Sequence, residues 1–294
     1  MSVEEKQSHW GEAFTAVTSP WTGHDARLLK RRRTETVWLN SSHGFQEPTL
    51  ELVRGLPPSV TSIAIVARWI DDLTPLYDLG RHLTTLHLLV APGATIDLSR
   101  LPRLTSLSAD WPTVQGSLQT ATGLDYLYLG HYKSMDLAPL ASLRSLRRLS
   151  LKDRPALTSL RGLNALESLR SLTIAGGRKL ADIADLDSPV GQQLEELDLD
   201  SCRHIDDLDP LTHCRSLTEL CLANIGDVPD ANVLRGLTKL RRLFLHESTR
   251  FLDGDLSAIA RLPHLETLSL MNRRHYHPDR EELETVIDQR TPLS

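Results

Sequence analysis

The pattern L-x-x-L-x-L recurs along most of this 294-residue chain and accounts for many of its 56 leucines. One clear copy reads Leu146-Arg-Arg-Leu149-Ser-Leu151, and another reads Leu240-Arg-Arg-Leu243-Phe-Leu245. Ten copies start at Val60, Leu83, Leu104, Leu124, Leu146, Leu169, Leu194, Leu217, Leu240 and Leu265, about 23 residues apart. A repeat of this length is one structural unit that stacks on its neighbours, so the pattern predicts a solenoid.

Two periods coexist in each repeat. In the L-x-L part every second residue is apolar, which indicates a strand with one buried face. Before that part every third residue is a leucine, as in Leu137, Leu140 and Leu143, which indicates a short 3-10-like turn. We therefore predict an α/β solenoid, with a curved parallel sheet on its concave face and short helical or 3-10 segments on its convex face.

A second motif joins the leucines. The run Ile70-Asp-Asp-Leu73-Thr-Pro75-Leu76 recurs as Ile205-Asp-Asp-Leu208-Asp-Pro210-Leu211, and a short polar residue followed by proline is typical of a helical turn start. Over about residues 60–272 the chain resembles the leucine-rich repeats of the bacterial internalin-like class. It is also similar to the repeat tails of bacterial NACHT-type signalling ATPases. These resemblances imply a leucine-rich-repeat fold and a protein-binding role.

The ninth residue of each repeat departs from that class, which usually has asparagine there. The chain instead has residues such as Ala91, Tyr132, Cys202 and Ser248. We expect irregular turns after the strands, with their backbone groups bonded locally or to water.

Residues 1–59 are predicted to be an N-terminal cap with a possible degenerate first repeat at 34–39, residues 60–272 the repeats, and residues 273–294 a C-terminal helical cap. A docking segment is the alternative for 1–59, because it contains the aromatic residues Trp10, Phe14, Trp21, Trp38 and Phe45. In the C-terminal cap, Asp279 and Glu282 predict a capping box, and Leu283 and Ile287 follow at helical spacing.

Composition limits the kinds of partner and the cellular location that the sequence predicts. The net charge of -5 argues against general nucleic-acid binding, and Lys30–Arg33 is interpreted as a solvated helix face. No stretch is apolar enough for a membrane helix. Three cysteines without a paired framework, and a polar N-terminus, predict a cytoplasmic protein, and the repeat class indicates a bacterial one.

The sequence carries no catalytic motif that we recognise, so we predict a protein that is not an enzyme and needs no cofactor or metal. His275, His277 and Asp279 are interpreted as a polar turn rather than as metal ligands. The acidic strand residues Glu196, Asp198 and Asp200 are interpreted as facing a basic partner rather than Ca²⁺ or Mg²⁺. Cys221 lies at an exposed strand position, but no base is predicted beside it.

We predict a protein ligand on the concave face, where aromatic, basic and acidic bands succeed one another. The predicted partner-binding residues are Trp111, Tyr126, Tyr128, His131, Arg148, Lys152, Glu196, Asp198, Asp200, Arg242, Phe244 and His246. Signalling or defence sensing is the setting that the resemblance implies. The alternatives are the substrate-docking arm of a ligase-like enzyme and a structural scaffold or assembly subunit, and the sequence leaves the oligomeric state open.

Overall fold

The computed structural model describes residues 3–7, 11 and 13–290. The predicted cap residue Trp10 and the last four residues of the predicted C-terminal cap lie outside these ranges. The chain divides into two compact units, Met1–Leu129 (unit 1) and Gly130–Ser294 (unit 2). The predicted domain boundaries at 59/60 and 272/273 stay predictions.

Unit 1 is built of short strands laid side by side in chain order. Strand β1 is antiparallel to β2, and the pairs from β2 to β6 are parallel. The elements are β1 (Val3–Gln7), β2 (Ala13–Val17), α1 (Gly23–Arg32), β3 (Thr36–Asn40), β4 (Ser62–Val66), β5 (Thr85–Leu89), β6 (Ser106–Asp110), α2 (Trp111–Val114) and β7 (Tyr126–Gly130, which ends at the first residue of unit 2). Short 3-10 helices lie at Ser41–His43, Glu51–Gly55, Thr74–Leu79, Leu98–Arg100 and Leu118–Thr120.

Unit 2 repeats the same plan. Its sheet has the order β8-β9-β10-β11-β13-β15, and β12 and β14 form a separate parallel pair. The elements are β8 (Arg148–Lys152), β9 (Ser171–Ile174), α3 (Pro189–Gln193), β10 (Glu196–Asp198), β11 (Glu219–Cys221), β12 (Asp227–Val228), β13 (Arg242–Leu245), β14 (Arg250–Phe251), α4 (Ser257–Ala260), β15 (Thr267–Leu270) and α5 (Arg280–Asp288). Short 3-10 helices lie at Ala138–Leu140, Leu163–Ala165, Ala184–Asp187, Asp209–His213 and Ala231–Leu234.

The strand register explains the period of two. In unit 2, Leu172, Leu197, Leu220 and Leu243 are direct cross-strand partners, and all four are buried. The residues between the leucines of each strand lie on the opposite side of the sheet. Each leucine row therefore builds the core, and the α/β class with a parallel repeat sheet is confirmed.

The period of three has an equally direct cause. The amide groups of Leu140, Leu143 and Leu146 donate to the carbonyl groups of the leucines three residues before them. Successive bonds of this kind are the 3-10 pattern, which places every third side chain on one edge. Those leucines are fully buried and form the second wall of the core.

The turns after the strands of unit 2 are more regular than the sequence predicts. The eighth residue of each of six successive repeats has a positive φ, between 55° and 73°. These residues are His131, Asp153, Gly176, Ser201, Asn224 and Glu247. A left-handed residue follows the strand at the same position of each of these repeats, and in one repeat Arg154 is left-handed as well. The recurrence shows that the ninth-position asparagine is not needed for a left-handed turn at this place.

The buried ninth and tenth positions are satisfied by other groups. The Tyr132 hydroxyl donates to the Asp136 carbonyl oxygen at 2.8 Å, and the Cys202 thiol lies 3.6 Å from the Ile174 carbonyl oxygen. The Thr249 hydroxyl donates to a carbonyl oxygen and accepts the amide of Ile225 at 3.2 Å. These side chains bond backbone groups locally, as the absence of the asparagines requires.

The C-terminal helix α5 begins at a capping box in which Asp279 and Glu282 bond to each other's backbone amides. Leu283 and Ile287 are its buried residues. Among the described helices, none combines the length and the apolar character needed to cross a bilayer.

Candidate protein-interaction faces

We call the side of each sheet opposite the buried leucines its open face. In unit 2 the parallel register arranges the residues of this face in rows that run across the strands. One row is Arg148, Ser171, Glu196, Glu219, Arg242 and Thr267, and the next is Ser150, Thr173, Asp198, Cys221, Phe244 and Ser269. The predicted residues Arg148, Glu196, Asp198, Arg242 and Phe244 therefore share one face.

Many charges on this face are paired with each other. Arg242 donates to the Glu219 carboxylate on the neighbouring strand, and Arg241 lies 2.6 Å from Glu266. The Ser171 hydroxyl donates to Glu196 at 2.8 Å. Hydrogen bonds and ion pairs between neighbouring strands thus connect the predicted basic and acidic bands. Exposed pairs of this kind contribute little to stability, so they remain available for exchange with a partner's charges.

Three further predicted residues of unit 2 lie at or just beyond the ends of its strands. Lys152 is exposed at the end of β8, and Asp200 is half-buried after β10. His246 is half-buried after β13, where its Nδ1 lies 3.2 Å from the Ser269 hydroxyl. Its ring stands edge-on to Phe244, with centroids 6.1 Å apart.

The predicted aromatic patch changes in the structure. Tyr126 and Tyr128 are half-buried on β7, and His131 is exposed at its left-handed turn. Trp111, which we expected on the exposed surface, is instead buried, with 8% of its surface accessible. The reason is that the chain does not continue as a strand beyond Asp110, because Trp111 is the first residue of α2. Its ring is therefore part of the packed interior and not of the open face.

Unit 1 contains a groove that the sequence did not reveal. It has a volume of about 780 Å³ and lies on the open face over β2 to β6. Its walls include Phe14, Trp38 and His87, and its floor includes Ala64. A cavity of this size falls within the usual range of ligand pockets.

The aromatic wall of the groove is formed by stacked rings. Phe14 and Trp38 stack with centroids 3.9 Å apart and planes inclined by 19°, and the His43 ring lies 5.6 Å from Phe14. On the other side, burial lowers the pKa of His87, so this imidazole is neutral at pH 7. Among the described residues, no formally charged side chain lines the groove.

Solved structures resemble this arrangement. An internalin of Listeria monocytogenes aligns with 90% of this chain and 82% of its own, at 21% identity and a TM-score of 0.55. A leucine-rich-repeat protein of Leptospira interrogans aligns with 87% of this chain and 71% of its own, at 17% identity and a TM-score of 0.59. The chain has a leucine-rich-repeat fold.

A plant peptide hormone receptor, solved in complex with RGF2, aligns with 92% of this chain and 40% of its own, at 16% identity and a TM-score of 0.51. No protein-family model matches the sequence, and no curated protein sequence matches it. At these identities the solved leucine-rich-repeat structures establish the fold alone.

The cysteines lie where nucleophilic chemistry is disfavoured. Cys202 and Cys214 are buried, and Cys221 is half-buried. Burial is the main reason that the pKa of each thiol rises to about 12. The Cys221 thiol bonds to the carboxylate of Asp198, whose own pKa is raised by burial. A protonated thiol beside a carboxylate is a poor nucleophile at neutral pH.

The predicted acidic stripe and the C-terminal histidines do not form metal centres. Within residues 3–7, 11 and 13–290, no three His, Cys, Asp or Glu side chains are grouped closely enough to hold a metal ion. His275 Nε2 lies 3.0 Å from the Phe251 carbonyl oxygen, which ties that ring to the backbone. One carboxylate oxygen of Asp198 is buried without a hydrogen-bond partner among the described residues.

Proposed function

We propose that this chain is a non-enzymatic protein-interaction module that binds a protein partner through the open face of its sheet, which the sequence predicts to be concave. The observation that carries the proposal is the in-register face of unit 2. There Arg148 and Lys152 are exposed on β8, Glu196 on β10 and Arg242 on β13, the strand that also carries the half-buried Phe244. Arginine and aromatic side chains dominate the energy of many protein interfaces.

The order of charges on this face suits the recognition of one specific partner better than non-specific attachment. Acidic residues of β10 and β11 lie between basic residues of β8 and β13. A partner whose charges have the complementary order forms a favourable charge interaction at each strand. A partner bound out of register would place like charges next to each other. The similar plant peptide hormone receptor was solved in complex with RGF2, which is consistent with a protein or peptide ligand on this fold.

The setting that we propose is signalling or defence sensing in the bacterial cytoplasm, because the repeats are similar to the tails of NACHT-type ATPases. A role in catalysis is not part of the proposal. The protonated state of Cys221 supports this choice, since a protonated thiol is a poor nucleophile at neutral pH.

The test begins with affinity purification of the wild-type chain from its native host, followed by mass spectrometry to name the partner. The variant Lys152→Glu with Phe244→Ala is then compared with the control Lys239→Glu with Met135→Ala, which changes the same chemistry outside the strands. We expect the first variant to weaken binding of the purified partner about tenfold or more, and the control to leave it unchanged. Equal affinities for two folded variants would exclude this face as the binding site.

A further inference from the structure

The groove of unit 1 differs in chemistry from the face of unit 2. Four half-buried hydroxyl residues, Thr36, Ser62, Thr85 and Ser106, are in-register partners across β3 to β6. No hydrogen bond joins these hydroxyl groups to another described residue. The groove therefore offers a row of neutral donors and acceptors, about one every 4.8 Å.

The next row supplies an apolar seat. Trp38, Ala64 and His87 are cross-strand partners, and the small Ala64 is buried, with 8% of its surface accessible, between two rings. The strands that carry Trp38 and His87 are two spacings apart, or roughly 9.6 Å. A flat ring in contact with a wall on each side needs roughly 7–8 Å. This thickness is less than the strand separation, so the strand spacing leaves room for one planar group above Ala64.

We propose that this groove binds an uncharged segment of a protein ligand, with an aromatic side chain seated over Ala64 between Trp38 and His87. The proposal rests on the proposed function and names the chemistry of the ligand. The absence of charge selects this ligand. His87 is neutral, and no charged side chain within the described part of the chain lines the groove. A buried Lys, Arg, Asp or Glu of the ligand would therefore lose its water without gaining a counter-ion there. The row of hydroxyl groups would bond the backbone of the same segment.

Three described charged residues at this end of unit 1 lie outside the groove. Arg32 and Glu5 form an ion pair 3.2 Å long, and with Glu35 they line a separate, smaller cavity beside it. An apolar seat with a polar margin is the usual anatomy of a protein interface. This arrangement favours a ligand that is neutral at its centre and charged only at its margin.

The first experiment needs no partner. The probes are N-acetyl-tryptophanamide, the cationic N-acetyl-lysinamide and the neutral disaccharide cellobiose, titrated into the full chain and followed by ¹⁵N TROSY spectra. We expect the tryptophan probe to shift the amide signals of Ala64 and His87 and the indole signal of Trp38, at least about fivefold more than either other probe. Equal or absent shifts, or a preference for cellobiose, would overturn the proposal.

Two substitutions test the seat without removing the ring stack. Ala64→Lys puts a charge on the floor of the groove, and Ala64→Leu fills it with apolar volume. Ser150→Lys is the matched control, since Ser150 is a small open-face residue of unit 2. Circular dichroism checks the fold of each variant. We expect both Ala64 variants to lower the affinity for the tryptophan probe about tenfold or more, and the control to bind the probe as the wild type does. Unchanged binding by a folded Ala64→Leu chain would contradict the proposed position of the aromatic side chain.

The two proposals can fail separately. If Ala64→Lys leaves the affinity for the purified partner unchanged while Lys152→Glu with Phe244→Ala lowers it, the groove proposal is wrong and the proposed function stands. If the probes bind the groove but neither set of substitutions affects any partner, the open face is not the interaction site and the proposed function is wrong.

Discussion

The eighth residue of each unit 2 repeat shows what single residues decide in this fold. A positive φ costs an ordinary residue about 1 kcal/mol or more, and glycine, asparagine and aspartate tolerate it best. Gly176, Asn224 and Asp153 fit that rule, but Ser201 and Glu247 do not. The Ser201 amide donates to the Ala223 carbonyl oxygen of the next repeat, and the Glu247 carbonyl oxygen accepts from the Arg273 guanidinium. Residue type therefore indicates the left-handed turn in some repeats, and contacts with neighbouring repeats determine it in the others.

Asp136 and Arg161 form the ion pair on which a pH dependence can be predicted. Asp136 is buried, accepts the Ala138 amide at 3.1 Å and receives two guanidinium hydrogen bonds from Arg161. The guanidinium is the main reason that the pKa of Asp136 is lowered. Because the folded pKa lies below the unfolded value of about 3.9, the pair stabilises the fold above that pH and loses this contribution as the pH falls through the folded pKa.

We expect Asp136→Asn to lower the free energy of unfolding at pH 7 by about 1.5 kcal/mol, a low value for a charged hydrogen bond because Arg161 is exposed. The difference from the wild type should be constant above about pH 5 and shrink below about pH 4. Denaturant unfolding from pH 3 to 7 measures it. Asp206→Asn, at an exposed position of the run Ile205–Leu211 in a later repeat, is the control. A difference that does not vary with pH would contradict the assignment.

At the scale of elements, the sequence predicts strands and 3-10 turns well because both depend on leucines repeated at a short spacing. The place of Trp111 was predicted wrongly, although its signal was present. Asp110-Trp111-Pro112 has a short polar residue, then proline near the first helical position, which is the helix start recognised at Thr74-Pro75. The alternation of a strand does not extend past this helix start, because β6 ends at Asp110.

The groove of unit 1 could not be predicted in the same way. Its rings and hydroxyl groups come from strands of five different repeats or cap segments, between Ala13 and Ser106. No local pattern indicates that Phe14 stacks on Trp38 or that Ala64 leaves a gap, since both depend on cross-strand register. Sequence periods locate the open face, and contacts between strands determine its shape.

The convex segments pack so closely that a glycine is required at one of their ends. A Cβ atom at Gly80 would lie 2.2 Å from the Arg100 carbonyl oxygen, which belongs to the next repeat. At Gly55, the last residue of another 3-10 helix, a Cβ atom would meet nothing within 4 Å. Neither position has a positive φ, so the contrast isolates packing between repeats.

We expect Gly80→Ala to lower the free energy of unfolding by about 2–3 kcal/mol, because the backbone of the next repeat must move. Gly55→Ala should change it by less than about 0.5 kcal/mol in either direction. Chemical denaturation of both variants measures the difference. Similar values for the two positions would show that the repeats yield to each other more easily than their contacts indicate.

Across the molecule, each repeat obtains its core from the repeats beside it, so the cost of a defect depends on its position in the array. Leu220 is fully buried and has strands on both sides, β10 and β13. Leu268 occupies the same row on β15, the last strand of the sheet, and is only half-buried. The two residues have the same chemistry and the same position in the motif, and they differ in the number of repeats that cover them.

We expect Leu220→Ala to lower the free energy of unfolding of the chain by about 3 kcal/mol, and Leu268→Ala by about 1 kcal/mol. Hydrogen exchange followed by mass spectrometry should show faster exchange in both strands beside Leu220, Glu196–Asp198 and Arg242–Leu245. The Leu268 variant should show faster exchange on one side only, in Arg242–Leu245, and denaturant unfolding should rank the two variants. Equal costs would contradict nearest-neighbour stacking and would mean that the last repeat is covered as fully as the inner ones.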